Sequence, residues 1–195
     1  MADGARRWRT VDILVTSVLG VAFGVVFWAW NLLWNGPFAA VFAGFKPAGG
    51  LIYGIWLVPA VLCPLVVRKP GAGIYGELLA ALVSTLLGSP WGLVTVLYGL
   101  FQGLAGEFAF AATGYRRWRL PTALAGGALA GAAAALLDLV QFYGTWSAPW
   151  QATYAALVVL SAAVIAGGGG WALTRALAAT GVLDAFPAGR DRPAI

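Results

Sequence analysis

The chain has 195 residues, of which 61% are hydrophobic and only 10% are charged. A water-soluble domain carries about 25% charged residues, so this chain has too little polar surface to cover a globule in water. A single cysteine, Cys63, and the lack of histidine exclude an intramolecular disulfide, a cysteine-rich zinc site and histidine-based catalytic or haem sites. We therefore expect no metal and no cofactor.

Apolar runs follow one another along the chain and predict six transmembrane helices. They cover roughly residues 11–34, 48–67, 72–88, 91–113, 120–143 and 152–179. In lipid every backbone polar group needs a partner within the protein, so runs of about 20 residues must be helical. Val11 to Trp34 lacks the strict alternation of a barrel strand. We expect an all-α integral membrane protein, a bundle of six helices over residues 1–180 with a C-terminal tail over residues 181–195.

Turn-forming residues separate the predicted helices in the same order. The clearest breaks are Asn35-Gly-Pro37, Lys69-Pro-Gly71, Gly88-Ser-Pro90 and the stretch from Gly144 to Pro149. Glycine and proline are the usual residues of such turns. The third predicted helix is the shortest of the six.

Basic residues predict the orientation of the chain in the membrane. If six helices alternate in direction, eleven of the twelve lysine and arginine residues fall on one side and only Lys46 on the other. The eleven are Arg6, Arg7, Arg9, Arg68, Lys69, Arg116, Arg117, Arg119, Arg175, Arg190 and Arg192. Cytoplasmic loops carry such an excess of basic residues. We therefore expect both termini in the cytoplasm, a cell-membrane location among lipids, and no nucleic-acid partner despite the net charge of +5.

Four carboxylates lie within the apolar runs, where a charge is costly and marks a functional candidate. Asp12 lies beside Arg9 at the cytoplasmic mouth, and we interpret the two as an interfacial ion pair. Glu77 and Glu107 lie at similar depth in the inner half, and Asp138 lies in the outer third of the fifth helix. These three either bind a ligand or have a structural role, such as pairing with the basic residues at the inner face.

Polar and aromatic side chains also share helix faces. Helical spacing puts Trp91, Tyr98 and Gln102 on one stripe of the fourth helix. Such side chains from several helices would suit a small, flat, polar or cationic ligand in the outer half of the bundle. The predicted substrate-binding residues are Asn31, Trp34, Trp56, Glu77, Tyr98, Gln102, Glu107, Asp138 and Tyr154. The alternative for Asn31 and Gln102 is that they only hydrogen-bond neighbouring helices.

Small residues at a spacing of four recur in the apolar runs, as at Gly20 and Gly24 in the first helix. They allow close helix packing, either within the bundle or against a partner membrane protein. We predict partner docking at Gly20 and Gly24. The four glycines from Gly167 to Gly170 do not form a nucleotide-binding loop, because no Lys-Ser or Lys-Thr pair follows them.

Several segments resemble the motifs of a known family. Arg68-Lys-Pro-Gly-Ala-Gly-Ile-Tyr-Gly-Glu77 resembles its "RKPGAxxxGE" signature, with Gly73 at a position where alanine is expected. Gly88-Ser-Pro-Trp-Gly92, Gln102-Gly-Leu-Ala-Gly-Glu-Phe-Ala-Phe-Ala111, Tyr115-Arg116 and Thr180-Gly-Val-Leu183 follow in order. Together they resemble the YkoE-type S-components of energy-coupling-factor (ECF) vitamin transporters, from about Trp8 to Arg190.

The resemblance implies a substrate-capture subunit of six helices for thiamine or its hydroxymethylpyrimidine precursor. It also implies a transmembrane coupling subunit and cytoplasmic ATPase subunits as partners. Glu77, Gln102 and Glu107 are positions of the family motifs.

Two other functions compete with this interpretation. A self-sufficient secondary transporter would use the membrane carboxylates as proton relays, but the sequence shows no convincing inverted repeat. A membrane enzyme would need a set of catalytic groups that the sequence does not assemble. We therefore predict a transporter subunit that is not an enzyme.

Overall fold

The structure is a computed structural model that describes residues 7–190, and every regular element in this range is helical. We label the main helices α1 (Thr10–Leu33), α2 (Lys46–Leu57 as a 3₁₀ segment, then Val58–Val67), α3 (Ala72–Leu86), α4 (Val94–Ala112), α5 (Leu120–Gln141), α6 (Ala148–Ser161, a π segment Ala162–Gly169, then Gly170–Ala179) and α7 (Pro187–Arg190). A π turn at Trp34–Phe38 and a single α turn at Ala39–Val41 follow α1. The all-helical prediction is confirmed for this part of the chain.

Five helical segments of the described residues are long and apolar enough to cross a membrane. They are Thr10–Val41, Lys46–Val67, Val94–Ala112, Leu120–Gln141 and Ala148–Ala179. Helix α3 is apolar but has 15 residues, so it is about 22 Å long, against about 30 Å for a hydrocarbon core. The outward faces are apolar, as shown by the exposed Val18 and Leu136. These features show a multi-pass membrane protein, and the count of six spans stays a prediction.

Helix α2 is the centre of the bundle. All ten residues of Val58–Val67 are buried, as expected for a helix that is apolar on every side. This part of α2 packs against each of the helices α1, α3, α4, α5 and α6. Around it, α3 packs between α1 and α4, and α5 packs between α4 and α6.

The helix boundaries differ from the sequence prediction by a few residues at the turns. Helix α6 begins at Ala148 rather than 152, because Pro149 is accepted in its first turn. Helix α4 begins at Val94 rather than 91, because Gly92 takes a positive φ of 57°. Helix α2 begins at Lys46, with Pro47 in its first turn.

The predicted ion pair at the start of α1 is confirmed. The Arg9 guanidinium lies 2.6 Å from a carboxylate oxygen of the buried Asp12, and the Lys69 ammonium lies 3.9 Å from the other oxygen. The indole of Trp8 donates a hydrogen bond to the Pro70 carbonyl. Together these contacts join the start of α1 to the turn between α2 and α3.

The segment after α6 packs against this same end of the bundle, although the sequence suggested a tail. Leu183, Phe186 and Ala188 are buried in the hydrophobic core. The Arg9 guanidinium lies over the Phe186 ring, 5.7 Å from its centroid. Apolar side chains at these positions explain why the segment folds back. Arg6, Arg192 and the predicted tail beyond residue 190 lie outside the described residues.

Candidate binding cavity

A cavity of about 270 Å³ opens among the helices, at the end of the bundle away from the basic turns. This volume is near the lower limit of the roughly 300–1,000 Å³ typical of small-molecule sites. Each of the helices α1 to α6 contributes to its wall. The lining residues are Phe27, Asn31, Trp34, Asn35, Tyr53, Trp56, Glu77, Ala81, Ser84, Trp91, Val94, Thr95, Tyr98, Gln102, Asp138, Phe142, Tyr143 and Tyr154.

Eight of the nine residues predicted to bind substrate lie in this wall. They are Asn31, Trp34, Trp56, Glu77, Tyr98, Gln102, Asp138 and Tyr154. Two of the three deep carboxylates, Glu77 and Asp138, therefore face one cavity. The interior of the bundle brings together residues that are far apart in the sequence, and their role in substrate binding stays a prediction.

Glu107 is the exception, since it does not line the cavity. Its two carboxylate oxygens accept hydrogen bonds from the backbone N–H groups of Gly71 and Gly73, at 2.8 and 2.7 Å. The first N–H groups of a helix have no partner within that helix, and a carboxylate is favourable at this end of the helix dipole. Glu107 caps the start of α3, so we leave it out of the candidate site.

Gly20 and Gly24 also require a correction. Both lie on the buried face of α1, and not on a surface open to another protein. A Cβ atom at Gly20 would lie 3.0 Å from the Leu79 side chain, and one at Gly24 would lie 2.5 Å from Cβ of Val83. The two glycines therefore allow α1 to approach α3 closely within the bundle.

Glu77 is fully buried, and only one of its two carboxylate oxygens accepts a hydrogen bond from a described residue. Its Oε2 accepts a hydrogen bond of 2.9 Å from the backbone N–H of Ala60. Ala60 lies in the first turn of the α-helical part of α2, where N–H groups need partners from outside the helix. Its Oε1 has no hydrogen-bond partner among the described residues. A buried carboxylate oxygen without a partner is rare in proteins, which makes Glu77 a candidate for contact with a ligand in the cavity that it lines.

Asp138 lies among tyrosines at another part of the wall. The Tyr154 hydroxyl donates a hydrogen bond of 2.6 Å to Asp138 Oδ2. Tyr53, Tyr98 and Tyr143 line the same cavity, and the Tyr143 and Tyr154 rings meet edge to face, 4.9 Å between centroids. Asp138 itself is only 5% exposed. The carboxylate of Asp138 thus lies among tyrosine rings, each of which carries a hydroxyl group.

Asn31 connects three helices at the edge of the cavity. Its amide donates to the Ser84 hydroxyl at 3.1 Å, and its carbonyl accepts from the Trp56 indole at 2.9 Å. The Trp56 ring also contacts Trp34, 4.9 Å between centroids, and Trp91, 5.9 Å away. Asn31 therefore hydrogen-bonds neighbouring helices, which was the alternative considered for it. The same bonds hold Trp56 in position against the other two tryptophans.

Several lining residues are absent from the predicted set, and Tyr53 is the most informative. In a 3₁₀ helix, side chains three residues apart lie directly above one another. The 3₁₀ segment of α2 thus puts Tyr53 on the same side of the helix as Trp56, and the two rings meet edge to face with centroids 5.0 Å apart. Phe142 was recognisable by its spacing of four residues from Asp138, whereas Tyr143 follows the end of α5 and has no periodic signal.

Comparison with known proteins gives consistent matches over most of the chain. Residues 11–133 match the family described as "ABC-type cobalt transport system, permease component". The chain is 35% identical over 189 residues to the "Putative HMP/thiamine permease protein YkoE" of Bacillus subtilis (strain 168), covering 95% of this chain and 92% of that protein. A crystal structure of an S-component of an ECF transporter matches with a TM-score of 0.87 and 34% identity, covering 95% of this chain and 93% of the other.

Proposed function

Because this chain belongs to the YkoE-type S-components of ECF transporters, we propose that its cavity captures thiamine or the hydroxymethylpyrimidine precursor of thiamine. The cavity itself carries the proposal, since two buried carboxylates face a space walled by tryptophan and tyrosine rings. Thiamine joins an aminopyrimidine to a cationic thiazolium. Carboxylates accept hydrogen bonds from the amino group, and aromatic faces stack on flat rings or attract a cation.

Glu77 is the residue we assign to the aminopyrimidine. Its Oε2 is held by the Ala60 N–H group, which fixes the carboxyl group, and its Oε1 is left for a ligand donor. An N–H donor of the ligand would form a charge-assisted hydrogen bond with Oε1 in a site that excludes water. Trp34 and Trp56 line the same cavity and offer flat surfaces to the ring.

The charges along the chain support a proposal for the arrangement of the protein in the membrane. We propose six membrane spans, with both termini in the cytoplasm and the cavity near the outer surface. The exposed Arg117 then lies inside the cell and Lys46 outside. The family to which the chain belongs supports a requirement for partner subunits during import. A membrane coupling protein and cytoplasmic ATPases would supply the energy.

Binding by the isolated protein is the direct test. The purified chain should bind thiamine or hydroxymethylpyrimidine in calorimetric titration without ATP or partner subunits. Mass spectrometry of the protein purified from rich medium should identify the same molecule as a bound ligand. If the folded wild-type protein binds neither compound, the proposed substrate is wrong.

A further inference from the structure

The connection between α1 and α2 carries no polar side chain over most of its length. Residues 36–45 are Gly-Pro-Phe-Ala-Ala-Val-Phe-Ala-Gly-Phe, between Asn35 and Lys46. Connections that run through water are normally polar. A stretch of this length is about 15 Å long even when it is fully helical, so it cannot cross a hydrocarbon core of about 30 Å. The connection therefore neither spans the membrane nor has the composition of a loop in water.

The structure gives this connection an inner and an outer side. On the inner side, the Phe38 ring lies 5.3 Å from Trp30 and 6.3 Å from Phe42, measured between centroids. On the outer side, Val41 is 70% exposed and Phe45 is 44% exposed. Apolar surface left exposed in this way marks a surface that contacts a membrane or another protein.

The position of the connection favours the membrane surface. Helix α1 has 24 residues and is thus about 36 Å long, slightly more than the hydrocarbon core. The backbone leaves the helical conformation just beyond it, at Gly36, where φ is −101° and ψ is −109°. The Phe45 ring meets Trp150 edge to face, 5.8 Å between centroids, and tryptophan is enriched where a membrane meets water. Lys46 follows and is exposed, and a lysine in this place extends its ammonium group to the headgroups.

The outward apolar surface of α1 also continues into the connection. Leu32 and Leu33 are exposed in the last turn of the helix. Asn35 follows them, but its side-chain amide donates a hydrogen bond of 2.9 Å back to the Asn31 carbonyl. Lipid covers the outward face of α1 in a multi-pass membrane protein, so lipid is the partner that continues along the connection.

We propose that residues 37–45 form an interfacial segment that inserts Val41 and Phe45 among the phospholipids of the leaflet at the cavity end of the bundle. Segments with one apolar face lie about 5–10 Å deep, at the boundary between headgroups and acyl chains. This inference does not depend on which ligand the cavity binds. Trp34 begins the same turn and lines the cavity, so the segment holds one edge of the cavity at the membrane surface.

Spin labelling of the full chain in lipid nanodiscs measures the depth directly. Val41→Cys carries the label, and Phe45→Cys is a second position on the same face. Cys63 is fully buried, so it contributes little label of its own. Val21→Cys is the control for the middle of the bilayer, because Val21 lies halfway along α1 and is 46% exposed. Arg117→Cys, at an exposed turn, is the control for water.

Two relaxation agents report the surroundings of each label, since oxygen concentrates in lipid and a nickel chelate stays in water. The ratio of oxygen to nickel accessibility at positions 41 and 45 should lie between the ratios of the two controls. A ratio equal to that at position 117 would mean that the segment lies in water, and one equal to that at position 21 would mean that it belongs to a span. Low accessibility to both agents would show that protein covers the segment, such as a second copy of the chain. Each of these three results would overturn the proposal, and thermal unfolding checks that each variant keeps its fold.

Discussion

Glu77 and Glu107 could not be distinguished by sequence analysis, but they have different hydrogen-bond partners in the structure. Both lie at similar depth in neighbouring helices, and both belong to family motifs. Glu77 faces the cavity with an oxygen free, whereas both oxygens of Glu107 are bonded to backbone N–H groups of Gly71 and Gly73. This contrast leads to two predictions, one on ligand affinity and one on stability.

Replacing Glu77 by glutamine should lower the affinity for the pyrimidine ligand. The amide keeps the size of the side chain but removes the charge that strengthens the bond to a ligand donor. Loss of such a partner in a dry site costs roughly 2–5 kcal/mol, or about 30-fold to several thousand-fold in affinity. Calorimetric titration with thiamine and with hydroxymethylpyrimidine measures this effect. An unchanged affinity for both ligands would remove Glu77 from the site.

Replacing Glu107 by glutamine should instead lower stability and leave the binding of ligand to the folded protein almost unchanged. A glutamine can accept only one of the two backbone bonds, so one N–H group at the start of α3 loses its partner. The expected loss is about 1–3 kcal/mol. Thermal unfolding of the Glu107→Gln variant in detergent measures this loss of stability, with the wild-type protein and the Glu77→Gln variant measured alongside for comparison. A large loss of affinity at unchanged stability would show that Glu107 contacts the ligand.

The sequence could predict which polar residues lie inside the bundle but could not assign their partners. Membrane carboxylates and aromatic stripes indicated eight residues of the wall, because a charge in lipid must face the protein interior. The partner of Glu107 depends on the turn around Gly71, where φ is 84°. The sequence predicts that turn, but whether Glu107 reaches it depends on how α4 packs against α3, which the spacing of residues along one helix does not reveal.

At the scale of helices, the α1–α3 contact depends on glycine. Gly24→Leu should destabilise the protein, because even a Cβ atom there would lie 2.5 Å from Cβ of Val83 and 2.9 Å from the Ala80 carbonyl oxygen. Overpacking of this kind costs about 1–3 kcal/mol. Val25→Leu is the matched control, since Val25 is on the same helix but 47% exposed on the outward face.

Thermal unfolding of the two variants checks this prediction. The Gly24→Leu variant should unfold at a lower temperature than the wild-type protein, and the Val25→Leu variant should match it. Equal melting temperatures for all three proteins would show that α1 can move away from α3 without loss. That result would support the earlier interpretation, in which Gly24 is part of a docking face for a partner protein.

The positions of the helices could be predicted where the apolar runs alone determine them. The type of helix in α2 could not be predicted. Apolar runs gave the main helices within a few residues at most ends. The 3₁₀ segment Lys46–Leu57 was not predicted, because it depends on contacts with α6. A Cβ atom at Gly54 would lie 2.5 Å from the Ser161 carbonyl oxygen, and the Gly54 N–H donates to the Ser161 hydroxyl at 3.0 Å. No spacing within α2 reveals these contacts.

At the scale of the whole molecule, the two ends of the bundle differ in chemistry. One end carries arginine residues, the Asp12 ion pair and the packed segment with Leu183 and Phe186. The other end carries the aromatic cavity and one exposed lysine, Lys46. Such an asymmetry is what the positive-inside rule associates with a fixed orientation. The cavity should therefore be accessible from outside the cell.

Cysteine labelling in intact cells tests this orientation. Cys63 is fully buried, so the wild-type chain is a suitable background with little labelling of its own. Arg117→Cys and Ser147→Cys each put a thiol at an exposed turn, between α4 and α5 and between α5 and α6 respectively. A membrane-impermeant maleimide should label position 147 in intact cells and position 117 only after permeabilisation. Labelling of position 117 in intact cells would show that the orientation is the opposite of the predicted one. The cavity would then open towards the cytoplasm.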